Sequence, residues 1–224
     1  MATLSELVDT VAKVTGMDPA TVALLARHAR EAGLIAMRGR GPSAAAMGLT
    51  DAANLLIAVN TVQHASEVGR AVPLYRQCVP YERDAQGNRH ALDGVGRLGE
   101  IMEQLIRAAG TGIFPDPFLG KQISPQVKGD FAQGNLWIGA QFNVTFVAAA
   151  LRIVPREAGD GLPNYPLLDS ARAVLAFDFF FPTRRRKGVL HKFFRGPGIM
   201  GNRIEEMTIG HQTFRAVGQL IEPV

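Results

Sequence analysis

Near the start of the chain, Leu4, Leu7, Val8, Val11 and Val14 recur at helical spacing, which predicts an amphipathic helix from residue 4 to about 15. Thr3-Leu4-Ser5-Glu6 places a hydroxyl at the cap and a carboxylate three positions later, the pairing that closes a helix start. Gly16 stands where a helix stop is expected. Asp18 then offers an N-cap, and Pro19 suits a first position that needs no backbone donor. In this second helix Val22, Leu25, Ala29 and Ala32 form one stripe, Thr21, Leu24, Arg27, His28 and Glu31 fall on or near the other side, and Gly33 ends it. Two capped helices and a tight turn describe an ordinary helical hairpin as well as a helix-turn-helix.

The pattern then changes. Leu34 to Met37 is a short apolar run, Arg38-Gly39-Arg40-Gly41-Pro42 is basic and glycine-rich, and Ser43 to Met47 returns through small residues. Strand, tip and return strand predict a β-hairpin, followed by a helix capped at Thr50 and running from Asp51 to Val62. From Gln63 to Pro80 the periodicity weakens, and "YERDAQGNRHALDG" is polar and rich in turn formers, so this stretch reads as a connector. A helix is predicted from Arg97 to Ala109, with Leu98, Ile101, Met102, Leu105 and Ile106 on its apolar face. "GTGIFPDPFLGKQISPQ" reads as a loop. Phe142, Val144 and Phe146 alternate with Gln141, Asn143 and Thr145, the period-two signal of a strand, which continues through Ala148 to Val154. "ARAVLAFDFFFP" repeats it, with Leu175, Phe177, Phe179 and Phe181 on one face, so the two strands are expected to pair antiparallel. Phe214, Val217, Leu220 and Ile221 close the chain at helical spacing.

The stretch "VAKVTGMDPATVALLARHAREAGLI" resembles the helix-turn-helix of winged-helix transcriptional regulators, with its turn glycine, its "PATV" helix start and its closing "REAGLI" before a wing. The resemblance covers residues 3 to about 62. It departs from the pattern in one respect: such domains usually carry a helix before the helix-turn-helix, whereas only Met1 to Thr3 precede this one, and Asp51 to Val62 is expected to supply the third wall of the core. The resemblance implies that Ala20, Thr21, Leu24, Arg27 and His28 face the major groove, which admits one helix. Arg27 would meet a guanine edge or a phosphate, and Thr21 a phosphate at the helix start. Arg38 and Arg40 would enter a minor groove or hold the backbone. Taken alone, Arg27, Arg30 and His28 read better as a solvated helix face; their position just before a basic tip brings the two readings level.

Charge complicates this picture. Residues 1 to 64 hold five Lys/Arg (Lys13, Arg27, Arg30, Arg38, Arg40) against five acids (Glu6, Asp9, Asp18, Glu31, Asp51), so attraction to DNA has to come from asymmetry between faces, and a neutral module also suits a protein partner. The whole chain of 224 residues carries a formal charge of +4, which allows a polyanionic partner without requiring one. Between Asp178 and Glu205 there is no acid, while Arg184, Arg185, Arg186, Lys187, Lys192, Arg195 and Arg203 are interleaved with Phe193 and Phe194. Such a segment can follow a phosphate backbone and stack on bases, or guard an edge strand as a solvated turn.

Composition narrows the classes. An apolar share of 47% fits a folded domain, no apolar run approaches the roughly 20 residues of a membrane span, and the first residues lack the signature of a signal peptide. The single Cys78 excludes an internal disulfide and a cysteine-rich zinc site. His28, His64, His90, His191 and His211 are too widely spaced to form a local metal pair. Gly94-Val95-Gly96-Arg97-Leu98-Gly99 matches G-x-G-x-x-G, but "GNRHALD" before it does not read as the strand a dinucleotide site needs. Adjacent Glu205 and Glu206 would point to opposite faces of a strand, and no nucleophile or metalloprotease motif is present.

The expected fold is α+β: a winged helix-turn-helix over 1–64, a connector over 65–96, and a C-terminal domain over 97–224 with a small antiparallel sheet and helices. The expected function is sequence-specific binding of double-stranded DNA by a cytoplasmic homodimer acting in transcription regulation, without catalysis, cofactor or metal. The alternatives are a phage-type DNA-packaging or assembly component and a protein-interaction module.

Overall fold

The computed structural model describes residues 2–37, 46–83, 89–92, 94–143, 147–156, 175–180 and 206–223. Helix α1 (Leu4–Thr15) starts at Thr3, whose hydroxyl accepts from Glu6 N while the Glu6 carboxylate accepts from Thr3 N at 2.7 Å. It ends on Gly16 at φ 69°, a left-handed conformation that glycine adopts without Cβ strain. Helix α2 (Pro19–Glu31) is capped by Asp18 and closes with Leu34 N donating to Ala29 O and Gly33 N donating to Arg30 O, the six-to-one closure of a glycine stop. Both helices follow the expected boundaries.

Helix α3 (Leu49–Thr61) differs from its expectation. Its cap is Gly48, not Thr50, because the Asp51 carboxylate reaches back to Gly48 N at 2.8 Å. Every residue from Asp51 to Thr61 is buried, which marks a helix enclosed on all sides. It packs against α2, against α4 (Val68–Arg76) and α5 (Leu98–Thr111), and against the C-terminal helix α7 (His211–Ile221). The third wall expected of α3 is therefore also the centre of the chain's continuous apolar core. After α5 in the chain comes the short helix α6 (Pro125–Ala132), capped by Ser124.

The described flanks of the expected wing are not strands. Leu34 O and Ala36 N are bonded to the side chains of Asn54 and Asp51, and Met47 N donates to Ala2 O at 2.8 Å. Those partners take up backbone groups that a hairpin ladder would use. The tip itself lies outside the described residues. The stretch expected as a connector holds a 3-10 turn (Ala65–Glu67), α4, and strands β1 (Val79–Arg83) and β2 (Arg89–Ala91).

Among the described residues, one antiparallel sheet of six strands runs in the order β2-β1-β5-β4-β3-β6. Its remaining members are β3 (Leu136–Asn143), β4 (Ala148–Pro155), β5 (Leu175–Phe180) and β6 (Glu206–Ile209). The single strand expected across 141–154 is in fact a hairpin, with Asn143 paired to Ala148. Burial shows why: Ile138, Ala140 and Phe142 face the core from β3, whereas Ala149, Leu151 and Ile153 do so from β4. The inward positions change from even to odd, which one uninterrupted strand cannot do because its faces alternate strictly. The antiparallel pairing of this region with β5 is as expected, and Phe177 and Phe179 are buried there. The fold is thus α+β with a small antiparallel sheet. Among the described residues, no helix is long and apolar enough to cross a membrane.

Candidate nucleic-acid interface

Helix α2 buries Val22, Leu25, Ala26 and Ala29 and exposes Ala20, Thr21, Ala23, Leu24, Arg27, Arg30 and Glu31, with His28 half-buried. At about 100° per residue, Ala20, Leu24, Arg27 and Glu31 line up along one outer ridge. Thr21 and His28 flank that ridge on one side, Ala23 and Arg30 on the other. The five residues expected to face a groove therefore share one continuous arc of about 120°. Leu24 keeps 47% of its surface exposed on that arc.

The ridge carries opposing charges. Arg27 Nε donates to Glu31 Oε1 at 2.8 Å, and His28 Nδ1 lies 3.7 Å from Glu31 Oε2. The Arg27 hydrogen bond holds the Glu31 carboxyl below the usual carboxylate range, against a small opposing effect of desolvation. At the helix start, Asp18 Oδ2 accepts from Thr21 N at 2.9 Å and from the Thr21 hydroxyl at 3.1 Å. A carboxylate thus occupies the position where a phosphate on Thr21 was expected, and such a phosphate would have to displace it. Arg30, which the family resemblance does not place in the groove, is exposed beside Arg27. It lines a groove of about 650 Å³ between α1 and α2 together with Leu4, Val8, Asp9 and Met37.

The remaining basic candidates, Arg38 and Arg40 and Arg184, Arg185, Arg186 and Lys187, lie outside the described residues. The G-x-G-x-x-G stretch follows β2, so a strand does precede it, contrary to expectation. That strand is an antiparallel edge, not the parallel βαβ unit a dinucleotide requires. The α5 N-terminus is closed by its own Glu100, whose carboxylate accepts from Arg97 N at 3.0 Å. Among the described residues no group of three or more His, Cys, Asp or Glu could hold a metal ion. Cys78 is buried, and burial pushes its thiol up to about 12. His211 stacks on Trp137 and accepts from Ile138 N through Nδ1 at 3.4 Å. Burial, then Arg215 and Arg156, lower its pKa to about 4.

The candidate interface is thus one face of α2, with Arg27 and Leu24 on its outer arc and Arg30 flanking it. Comparison with protein-family models, curated proteins and solved structures finds no match for this chain.

Proposed function

We propose that this chain is a sequence-specific double-stranded DNA-binding protein, acting as a homodimeric transcriptional regulator, with α2 in the major groove and the Arg38–Arg40 segment on the adjacent backbone or minor groove. The observation that carries this reading is the one-sided burial of α2. Ala20, Thr21, Leu24, Arg27 and His28 share its outer arc while its inner side is anchored on α1 and α3. A major groove accepts one helix presented in this way. Leu24 suits a thymine methyl, and Arg27, once released from Glu31, suits a guanine edge or a phosphate. Two such helices related by a two-fold axis would read paired half-sites.

A second reading, a protein-docking module, draws on the 47% exposure of Leu24 and the 63% exposure of Met37 beside the α1–α2 groove. A fluorescence-anisotropy titration separates the two. Labelled duplexes from the source genome and from a random pool are compared at several salt concentrations. Tighter binding of a genomic subset, with affinity falling by about 0.9 log unit per log unit of salt for each phosphate contacted, supports DNA reading. No binding at low salt refutes it and leaves the docking module.

A further inference from the structure

The chain's single tryptophan, Trp137 on β3, anchors a cluster of aromatic and cationic side chains outside α2. His211, the first residue of α7, stacks on the indole with 8° between the planes, and Phe131 of α6 meets the same imidazole edge-on at 86°. The Arg156 guanidinium sits over the indole, 5.5 Å from its centroid. Its backbone N–H donates to Asn135 O at 2.7 Å, so the arginine leaves the end of β4 from a fixed point. Arg215 follows His211 by four residues on α7, which puts the two on one helix face.

The imidazole has a structural task that fixes its tautomer. Strand β6 pairs with β3 as far as Ile209 opposite Ala140. Two residues on, Ile138 N meets the imidazole in place of a strand carbonyl and donates to Nδ1 at 3.4 Å. A neutral imidazole has one acceptor nitrogen and one donor, so the proton sits on Nε2. Burial, then Arg215 and Arg156, keep the ring neutral. Nε2 is not sealed from solvent. Among the described residues it has no acceptor, and neither arginine has an ion-pair partner.

Either arginine alone would be an ordinary solvated side chain. Together, two guanidinium charges without an acid flank an N–H donor held by Trp137, Phe131 and Ile138. The indole beneath Arg156 pre-organises its planar fork, so less side-chain entropy is lost when an anion is engaged. A phosphate group offers several oxygens and more than one negative charge, which suits guanidinium forks and one further N–H. We infer that Arg156, Arg215 and the Nε2–H of His211 form a binding site for a phosphate group beside Trp137. A nucleic-acid backbone and a free phosphorylated molecule both carry that chemistry. The site does not rest on the reading of α2.

Titration of the full chain with sodium phosphate at neutral pH, against chloride at matched ionic strength, tests it. Two signals report on the site: Trp137 fluorescence, in a chain with one tryptophan, and the ring resonances of His211 in a nitrogen-correlated NMR spectrum. Both are expected to shift saturably with phosphate and not with chloride. Arg215→Gln changes an exposed side chain without a partner and should weaken binding by roughly tenfold or more, as for a lost hydrogen bond between charged groups. Arg156→Gln should do the same, read from His211 because the substitution alters the surroundings of the indole. Lys13→Gln on α1 removes the same charge from another surface and should leave the affinity unchanged. Duplex DNA forms the second arm. A duplex response weakened by Arg215→Gln places a nucleic-acid backbone at the site, while a response to phosphate with none to duplex places a free phosphorylated molecule there.

No saturable response to phosphate or duplex overturns the site, as does binding that neither arginine substitution weakens. A loss in Lys13→Gln as large as that in Arg215→Gln also overturns it, because positive charge anywhere on the surface is then enough. Failure of duplex binding alone removes the proposed function, and the phosphate titration still decides this site.

Discussion

Gly218 of α7 packs directly on the backbone of Gly110 and Ile106 of α5. A Cβ on Gly218 would overlap Ile106 O and stand 2.8 Å from Gly110 N and 2.9 Å from Gly110 Cα. All three are backbone atoms, so no side chain can swing away. Carbon atoms sit at roughly 3.5–4.0 Å in ordinary contact, so in Gly218→Ala helix α7 has to retreat by about 1 Å or more. That movement loosens Phe214 and Val217, both fully buried, and disturbs the Arg107–Glu222 ion pair, closed at 3.0 Å between the same two helices. Overpacking costs about 1–3 kcal/mol, and a backbone-lined site belongs at the upper end. Alanine recovers about 1 kcal/mol of helix propensity. The net expectation is a loss of about 2 kcal/mol, which moves a urea midpoint down by about 1 M for a slope near 2 kcal/mol/M. Gly129→Ala in α6 is the matched control, because a Cβ there meets nothing within 4 Å. It should raise the midpoint by the propensity gain alone. The reasoning is refuted if Gly218→Ala leaves the midpoint unchanged or raises it alongside Gly129→Ala.

Other outcomes are expected at single residues. His211 is held neutral in the fold, with its pKa lowered to about 4. Above about 6.5, the ordinary histidine value, both folded and unfolded forms are neutral and the residue adds no pH dependence. As the pH falls from there toward 4, the unfolded chain takes up the proton first and stability is lost, by at most about 3 kcal/mol and less for a ring that still meets solvent. Urea midpoints of His211→Asn between pH 7 and pH 4 should therefore fall less steeply than those of the wild type. Arg27→Ala should relax base preference and cost about 1–3 kcal/mol if Arg27 meets a guanine. Glu31→Gln should instead tighten duplex binding at low salt, with the gain shrinking as salt is raised; weaker binding would show that the Arg27–Glu31 pair orients the arginine. Cys78 should react with a thiol reagent only at the rate of unfolding, being buried with its thiol pushed up to about 12, and fast labelling of the native protein would contradict that burial.

The helical hairpin at the start of the chain was legible because its signals are local. Thr3 with Glu6, Gly16, Asp18, Pro19 and Gly33 each act within one turn, and the structure uses all five where the spacing places them. The outer arc of α2 followed from the same periodicity. What was not legible depends on contacts far along the chain. Nothing near Asp51 announces that its second oxygen will take Ala36 N, and nothing near Asn54 announces Arg76. Strand β2 is three residues long and exists because β1 lies beside it, so its polar sequence carried no signal of its own. The hairpin of β3 and β4 was readable in principle. Phe142 and Leu151 are nine positions apart, an odd number, yet both face the core, and that parity change is the turn.

Helix α3 has a consequence for how the protein can be divided. Its buried surface is shared: α2 covers part of it, while α4, α5, α7 and the sheet cover the rest. A fragment cut near residue 64 would carry the candidate reading helix but strip the second covering from α3, leaving Leu55, Leu56 and their neighbours partly open to water. Such a fragment would tend to self-associate, as exposed apolar stripes do. In the intact chain the same sharing couples the unfolding of α2 to that of the sheet. A relative that kept the first sixty residues and exchanged the remainder would need a new partner shaped to enclose α3 before α2 regained a base to stand on.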